Sequence, residues 1–152
     1  MKKDNTNWSQ SVAGVCIKDG KVLLARHTYG GGKGLLIIPG GYVQNGESPQ
    51  EAVKREYLEE VNIKVEPKCL IGIRFNAHDW YVVFTVGYIS GTPKSDNNEN
   101  SEVVWINIDE ALNREDVPEL TKTMISSALK GTAFVKLPYQ GNNPPNSLYG
   151  IK

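Results

Sequence analysis

Two cysteines, two histidines and no surplus of either charge leave several classes of function without support in this sequence. Cys16 and Cys69 each sit inside an apolar, strand-like run, with none of the close spacings that metal sites use. That lack favours buried free thiols over a metal site, and buried free thiols are expected. His27 and His78 stand alone in loop-like segments and read as surface histidines. With 17 basic and 17 acidic residues, the chain offers no basic excess for a nucleic-acid polymer or an anionic membrane. No apolar run approaches transmembrane length, and MKKDNTNWSQ at the start lacks an apolar signal segment. A cytoplasmic location is the expectation. Among 152 residues no repeat or long linker divides the chain, which reads as one domain over 1–152 with a Pro/Gly/Asn-rich tail over 131–152.

What the sequence does have is concentrated between Ile38 and Ile63. Ile38-Pro39-Gly40-Gly41 stops an apolar run with a proline and two glycines, so a strand ends there and the backbone turns. Ser48 is placed to cap a helix, Pro49 suits its first position, and Glu51 completes the capping-box spacing. The helix should run from Pro49 to Val61, with Asn62 taking the left-handed position just beyond it. On a helical wheel Val53, Tyr57 and Val61 form an apolar stripe with Leu58 at its edge. Arg55, Glu56, Glu59 and Glu60 share the opposite arc, roughly 140° wide. Glu47 waits in the loop before the helix. Four carboxylates so close repel one another, and a merely structural helix gains nothing from that. Hard divalent ions such as Mg²⁺ or Mn²⁺ relieve the repulsion, so Glu47, Glu56, Glu59 and Glu60 read as a metal site. Arg55 can hold one carboxylate in place through a two-pronged contact.

Gly41, five residues, Glu47, seven residues, Arg55-Glu56, two residues, Glu59-Glu60, one residue, then Asn62-Ile63 resembles the Nudix box of the Nudix hydrolases. The six glycine, arginine and glutamate positions coincide by chance at about one start in ten million, which disfavours a plain solvated acidic helix. Two positions depart from the family pattern. Asn62 stands where glycine is usual, which its tolerance of the left-handed region makes benign. Tyr57 replaces an aliphatic residue and brings a hydroxyl that needs a partner. Leu36 stands where many members have tryptophan, a change that concerns packing.

The rest of the chain fits that resemblance. Val12 to Ile17 reads as a strand, Lys18-Asp19-Gly20 as a tight turn, and Lys21 to Arg26 as the hairpin partner. The glycine-rich loop from His27 to Gly34 lacks the helix that a phosphate cradle needs and reads as a mobile rim. Leu35 to Ile38 leads into the box. Ile63 to Phe75, Trp80 to Ile89 and Glu102 to Ile106 read as strands, Asp109 to Leu112 as a short helix and Glu119 to Leu129 as an amphipathic one. Strands with helices on both sides give the fold class α/β, an α/β/α sandwich on a mixed sheet, which is also what the resemblance implies.

By that resemblance the chain is a pyrophosphohydrolase acting on a nucleoside diphosphate linked to another group: a nucleoside triphosphate, a nucleotide sugar or a dinucleoside polyphosphate. Glu56, Glu59 and Glu60 would ligate metal, Arg55 would orient a carboxylate, and Gly40 and Gly41 would lend backbone groups at the turn. The base varies within the family, and here the candidates are Glu56 and Glu102, the latter equally readable as a solvated charge at a strand end. Arg26 and Arg74 each end or interrupt an apolar strand and suit either a substrate phosphate or a salt-bridged framework. Phe75, Trp80 and Tyr81 could stack a nucleobase, although strand alternation puts at least one of them in the core. No proline follows the box where the ADP-ribose branch has one, whereas Tyr81 falls where the dinucleoside polyphosphate branch places a tyrosine. A non-catalytic nucleotide sensor is the alternative, and sensors of this type usually lose box acids that this chain retains. The tail's Pro138, Pro144 and Pro145 argue against a helix or central strand. Its apolar residues suggest packing on the domain or on a second subunit of a homodimer, near the pocket rim.

Overall fold

Asp19 and Gly20 both adopt positive φ, 52° and 74°, as a two-residue hairpin of matching twist requires. They fold β1 (Ser9–Lys18) back onto β2 (Lys21–His27) in antiparallel register. The computed structural model describes residues 8–139, 141 and 146–152. β3 (Leu36–Ile37) continues antiparallel on β2, and β4 (Gly40–Tyr42) lies antiparallel on the first half of β1. β5 (Lys64–Phe75) and β6 (Asp79–Ser90) form a long hairpin whose second strand runs parallel to β1. β7 (Asn100–Asn107) closes on the other edge of β2, with an irregularity between Arg26 and His27. The seven strands make one mixed sheet.

Alternation along the strands gives that sheet two apolar faces. Val12, Leu23, Ala25 and Phe84 point to one side and meet Val53, Tyr57 and Val61 of α1 (Pro49–Val61). Ala13, Val22, Leu24 and Val83 point to the other and meet Ala111 of α2 (Ile108–Asn113) and Ile125 of α3 (Glu119–Leu129). Fully burying each Val, Leu, Ile or Phe side chain among these stabilises by about 1.5–3 kcal/mol. This is the expected α/β/α sandwich. Among the described residues no helix is long and apolar enough to cross a membrane.

α1 has the expected bounds for the expected reasons. The Ser48 hydroxyl accepts from Glu51 N–H at 3.2 Å while the Glu51 carboxylate accepts from Ser48 N–H at 3.0 Å. At the other end Asn62 sits at φ 62°, ψ 32°, and its amide donates to Thr92 O at 3.0 Å. The Tyr57 hydroxyl finds its partner in Gly14 O at 2.6 Å. Leu58 differs from expectation: it is 57% exposed, because one residue past Tyr57 the helix has already turned about 100° away from the sheet.

The tail is more ordered than its composition suggests. β8 (Val135–Leu137) and β9 (Leu148–Gly150) pair antiparallel. Phe134 exchanges both backbone hydrogen bonds with Leu70, at 2.9 and 3.1 Å. Tyr149 meets Phe84 edge-on at 5.5 Å, and the Gln50 amide donates to Ser147 Oγ at 2.6 Å. Phe134 and Tyr149, which looked excessive for a solvated tail, tie it to β5 and β6, and Ser147 ties it to the start of α1. Pro138 lies just past β8, while Gln140, Pro144 and Pro145 lie outside the described residues.

Candidate active site

Two backbone features bring the box residues together. Gly40 lies so close to β1 that a Cβ there would collide with Val12 O, and a Cβ on Gly41 would collide with the Glu56 carboxylate. Only a bare backbone lets α1 seat its acidic side against the turn. Gly40 N–H then donates to Glu60 Oε2 at 3.2 Å.

Arg55 is the centre of the cluster. Its Nε and Nη2 donate to the two Glu47 oxygens at 2.7 and 2.9 Å, a bidentate contact. Nη1 donates to Glu56 Oε1 at 2.9 Å and to Glu59 Oε2 at 3.2 Å, and Nη2 also reaches Tyr42 O at 3.0 Å. The guanidinium is thus held fully charged, first by its hydrogen bond to Glu47. Glu47, which also accepts from Gln44 N–H at 3.1 Å, is held below the usual carboxylate range by Arg55.

The other carboxylates are not so satisfied. Glu60, on the arc opposite the apolar stripe, is only 3% exposed. Burial first, then the charges of Glu56, Glu99 and Asp96, push its carboxyl up to about 8 against the pull of Gly40 N–H. Burial also raises Glu56, with Glu99 and Glu59 adding and Arg55 opposing. Glu56 Oε2, Glu59 Oε1 and Glu60 Oε1 accept no hydrogen bond among the described residues.

Reasoning from sequence missed three neighbours. Glu99 lies in the loop before β7, where Thr28 N–H donates to its carbonyl at 3.1 Å, and its charge bears on both Glu56 and Glu60. The signal was present, since an acid just ahead of the strand was sought. β7, however, begins at Asn100, two residues earlier than expected. His27, read as a surface histidine, is half-buried with Nε2 3.9 Å from Glu60 Oε1. Burial lowers its pKa, and at that separation the two make no hydrogen bond. Asn100 is fully buried, donates to Glu60 O at 2.8 Å and leaves its Oδ1 without a partner.

The remaining candidates lie elsewhere. Arg26 and Glu102 are cross-strand partners joined at 3.2 Å. Their neighbours Ala25 and Val103 face α1, so these two side chains face away from it. Arg26 also donates to Asp116 at 3.1 Å and to Gly34 O at 2.8 Å, which makes a salt-bridged framework on the far face. Tyr81 packs on that face too, with the Arg74 guanidinium 5.3 Å over its ring. Arg74 pairs with Asp79, which also accepts from Ser11. Phe75 and Trp80 lie edge-on to each other at 5.1 Å.

No three acidic, histidine or cysteine side chains among the described residues stand in ready metal-binding geometry. The donor chemistry nonetheless fits a hard divalent ion: three free carboxylate oxygens belong to acids of which two are raised by burial and mutual repulsion, and a cation relieves both.

Comparison with known proteins gives the family. Residues 8–126 match the family model described as NUDIX domain. An ADP-ribose pyrophosphatase from Methanocaldococcus jannaschii is 33% identical over 104 residues, 64% of this chain and 62% of that protein. The match therefore spans less than two thirds of that relative. A MutT-like protein from Streptomyces ambofaciens is 32% identical over 126 residues, 81% of this chain and 78% of the other. Among solved structures, a NUDIX hydrolase from Nitrosomonas europaea superposes with a TM-score of 0.74 at 25% identity, covering 84% of this chain and 93% of that one.

Proposed function

The chain belongs to the NUDIX domain family, and from that premise we propose that it is a divalent-metal-dependent pyrophosphohydrolase acting on a nucleoside diphosphate linked to another group. One observation carries the reading. A buried glutamate with its carboxyl pushed up to about 8 sits one turn from a second raised glutamate, and both have an oxygen free. A chain that used this helix only as framework would leave neither there. A binding-only sensor has no need of so repelled a cluster.

A divalent ion held by Glu56, Glu59 and Glu60 would neutralise charge on the phosphate oxygens and make water more acidic. The other parts of the reaction belong to the chain itself. Arg55 fixes Glu47, Glu56 and Glu59 in one orientation, so the carboxylates do not reorganise when charge develops. Where Glu59 and Glu60 alone would hold the ion, Glu56 Oε2, its other oxygen being tied to Arg55, is left to take the proton as water oxygen bonds to phosphorus and the bridging P–O bond breaks, the leaving phosphate carrying away the electron pair. Its raised pKa brings it nearer the working pH of a base. Glu99 adds charge at the rim, and Asn100 holds the Glu60 backbone in place.

A substrate panel tests this: nucleoside triphosphates, ADP-ribose, nucleotide sugars and dinucleoside polyphosphates, each with Mg²⁺ or Mn²⁺ and each repeated in EDTA. Release of two phosphate-bearing products that stops in EDTA is expected. Hydrolysis undiminished in EDTA, or none with any member of the panel, would overturn the proposal.

A further inference from the structure

The loop that carries Glu47 to Arg55 contains the only asparagine-glycine pair in the chain, Asn45-Gly46, and no step of the reaction above uses it. Both residues are exposed. Glu47 N–H donates to Gln44 O at 3.1 Å, which closes a four-residue turn over 44–47. Gly46 lies at φ 78° while Asn45 stays outside the left-handed region, so the turn is type II. Neither the Asn45 carboxamide nor the Gly46 N–H is among the hydrogen bonds of the described residues. Asn62, Asn76, Asn100 and Asn113 instead engage their side-chain amides, with Thr92 O, His78 N–H, Glu60 O and Asp109 O. Nothing lies within 4 Å of where a Gly46 Cβ would stand. Asn45 thus sets a free electrophilic carbonyl beside a free amide nitrogen, with no side chain to hinder their approach.

We propose that Asn45 is a site of spontaneous succinimide formation, and that its product shuts down the carboxylate cluster. The Gly46 nitrogen gives up its proton and bonds to Asn45 Cγ. The bond from Cγ to the carboxamide nitrogen breaks, and ammonia leaves with a proton. Water then opens the cyclic imide, and no oxidant or reductant takes part. Opening at Cγ gives aspartate. Opening at the former backbone carbonyl gives isoaspartate, whose main chain runs through Cβ and Cγ and is one methylene longer. Resting on the pyrophosphohydrolase reading above, that longer chain ends turnover. The turn fixes Glu47 twice, through its N–H on Gln44 O and through its Oε1 on Gln44 N–H, and an inserted methylene breaks the fit of both. Glu47 in turn holds Arg55 Nε and Nη2, and the same guanidinium orients Glu56 and Glu59. A displacement of about 1 Å in such a constellation costs about 100-fold in rate. Asn45-Gly46 therefore limits the working life of the protein.

The test ages the purified full chain in warm, mildly alkaline buffer, which favours loss of the Gly46 amide proton. Mass mapping of the tryptic peptide 34–54 reads the amide-to-acid change, and labelling by protein isoaspartyl methyltransferase reads isoaspartate. The same samples are assayed for kcat with Mg²⁺. Asn45 should convert ahead of every other asparagine, and kcat should fall in step with the isoaspartate fraction. The separated isoaspartate form should turn over about 100-fold more slowly. Asn45→Gln, which would have to close a larger ring, should begin at the wild-type kcat and keep it over the same period. Fresh Asn45→Asp carries the new charge without the methylene and should stay within about twofold of wild type, because an exposed charge is screened. Asn45 left intact while other asparagines convert, full conversion with kcat unchanged, or equal loss in Asn45→Gln would each overturn the proposal. Fresh Asn45→Asp as slow as the isoaspartate form would overturn the role given to chain length. Conversion of Asn45 in a protein that hydrolyses no nucleotide even when fresh overturns the hydrolase reading and leaves the modification standing.

Discussion

Two clusters of arginine and carboxylate lie on opposite faces of the sheet, built of the same parts and tuned in opposite directions. On the far face Arg26 and Arg114 share Glu102, Glu110 and Asp116 through hydrogen-bonded pairs at 2.8 to 3.2 Å. Asp116, held first by Arg114 and then by Arg26, sits well below the usual carboxylate range. On the α1 face one arginine serves Glu47, Glu56 and Glu59, while among the described residues the buried Glu60 has no cation against it apart from a neutral-leaning histidine. Glu56 and Glu60 are raised accordingly. Where charge is balanced the carboxylates settle and brace the fold. Where it is unbalanced and dehydrated, the deficit of positive charge is one that a cation can fill.

The largest effect should come from removing that imbalance. Glu56→Gln and Glu60→Gln keep side-chain volume but delete ligand charge, so each should lower kcat by about 100-fold or more. Folding should be unharmed or improved, since like-charge repulsion falls and the glutamine oxygen can still accept from Gly40 N–H. Steady-state kinetics and thermal melts on the same samples check both halves. Near-wild-type turnover in the two variants would make the α1 cluster a framework like the other.

A smaller contrast separates two acids only three residues apart. Glu99→Gln should lower kcat about tenfold or more, because its charge bears on Glu56 and Glu60. Glu102→Gln should leave kcat within about twofold and cost about 1 kcal/mol or less, since it loses one half-exposed contact with Arg26. The reverse ranking would return the catalytic role to the far face.

The helix was legible in detail because its signals are local: a capping box, an N1 proline, a left-handed asparagine and a stripe at helical period all act within a few residues. The box acids were legible for the same reason. The burial of Glu60 was not legible, because it comes from Gly40, Asn100 and His27, which reach it from three other segments. Glu102 looked closer to the site than it is because its face is set by pairing with Arg26 on β2, beside a register shift between Arg26 and His27. The tail hairpin depends on Leu70 and Phe84, more than sixty residues upstream of Phe134 and Tyr149. No local pattern reports such pairings.

The smallest effect lies in the balanced cluster and shows in its pH dependence. Asp116 accepts from Arg114 at 2.8 and 2.9 Å and from Arg26 at 3.1 Å. Its native pKa is depressed relative to the unfolded value of about 3.9. Between the two values the unfolded chain binds more protons than the native one, so stability falls as pH falls through that window. The contribution is fully present above the unfolded value and is lost on acidification. Asp116→Asn removes it, and because the group is near the surface the loss at neutral pH should be about 1 kcal/mol or less. The melting-temperature gap between wild type and variant should therefore be widest near pH 7, narrow steadily below pH ~4, and shrink in high salt. Turnover at neutral pH should be unmoved. A gap that stays constant into acid, or widens there, would mean that Asp116 does not rest in the charge-balanced state that distinguishes its cluster from the one on α1.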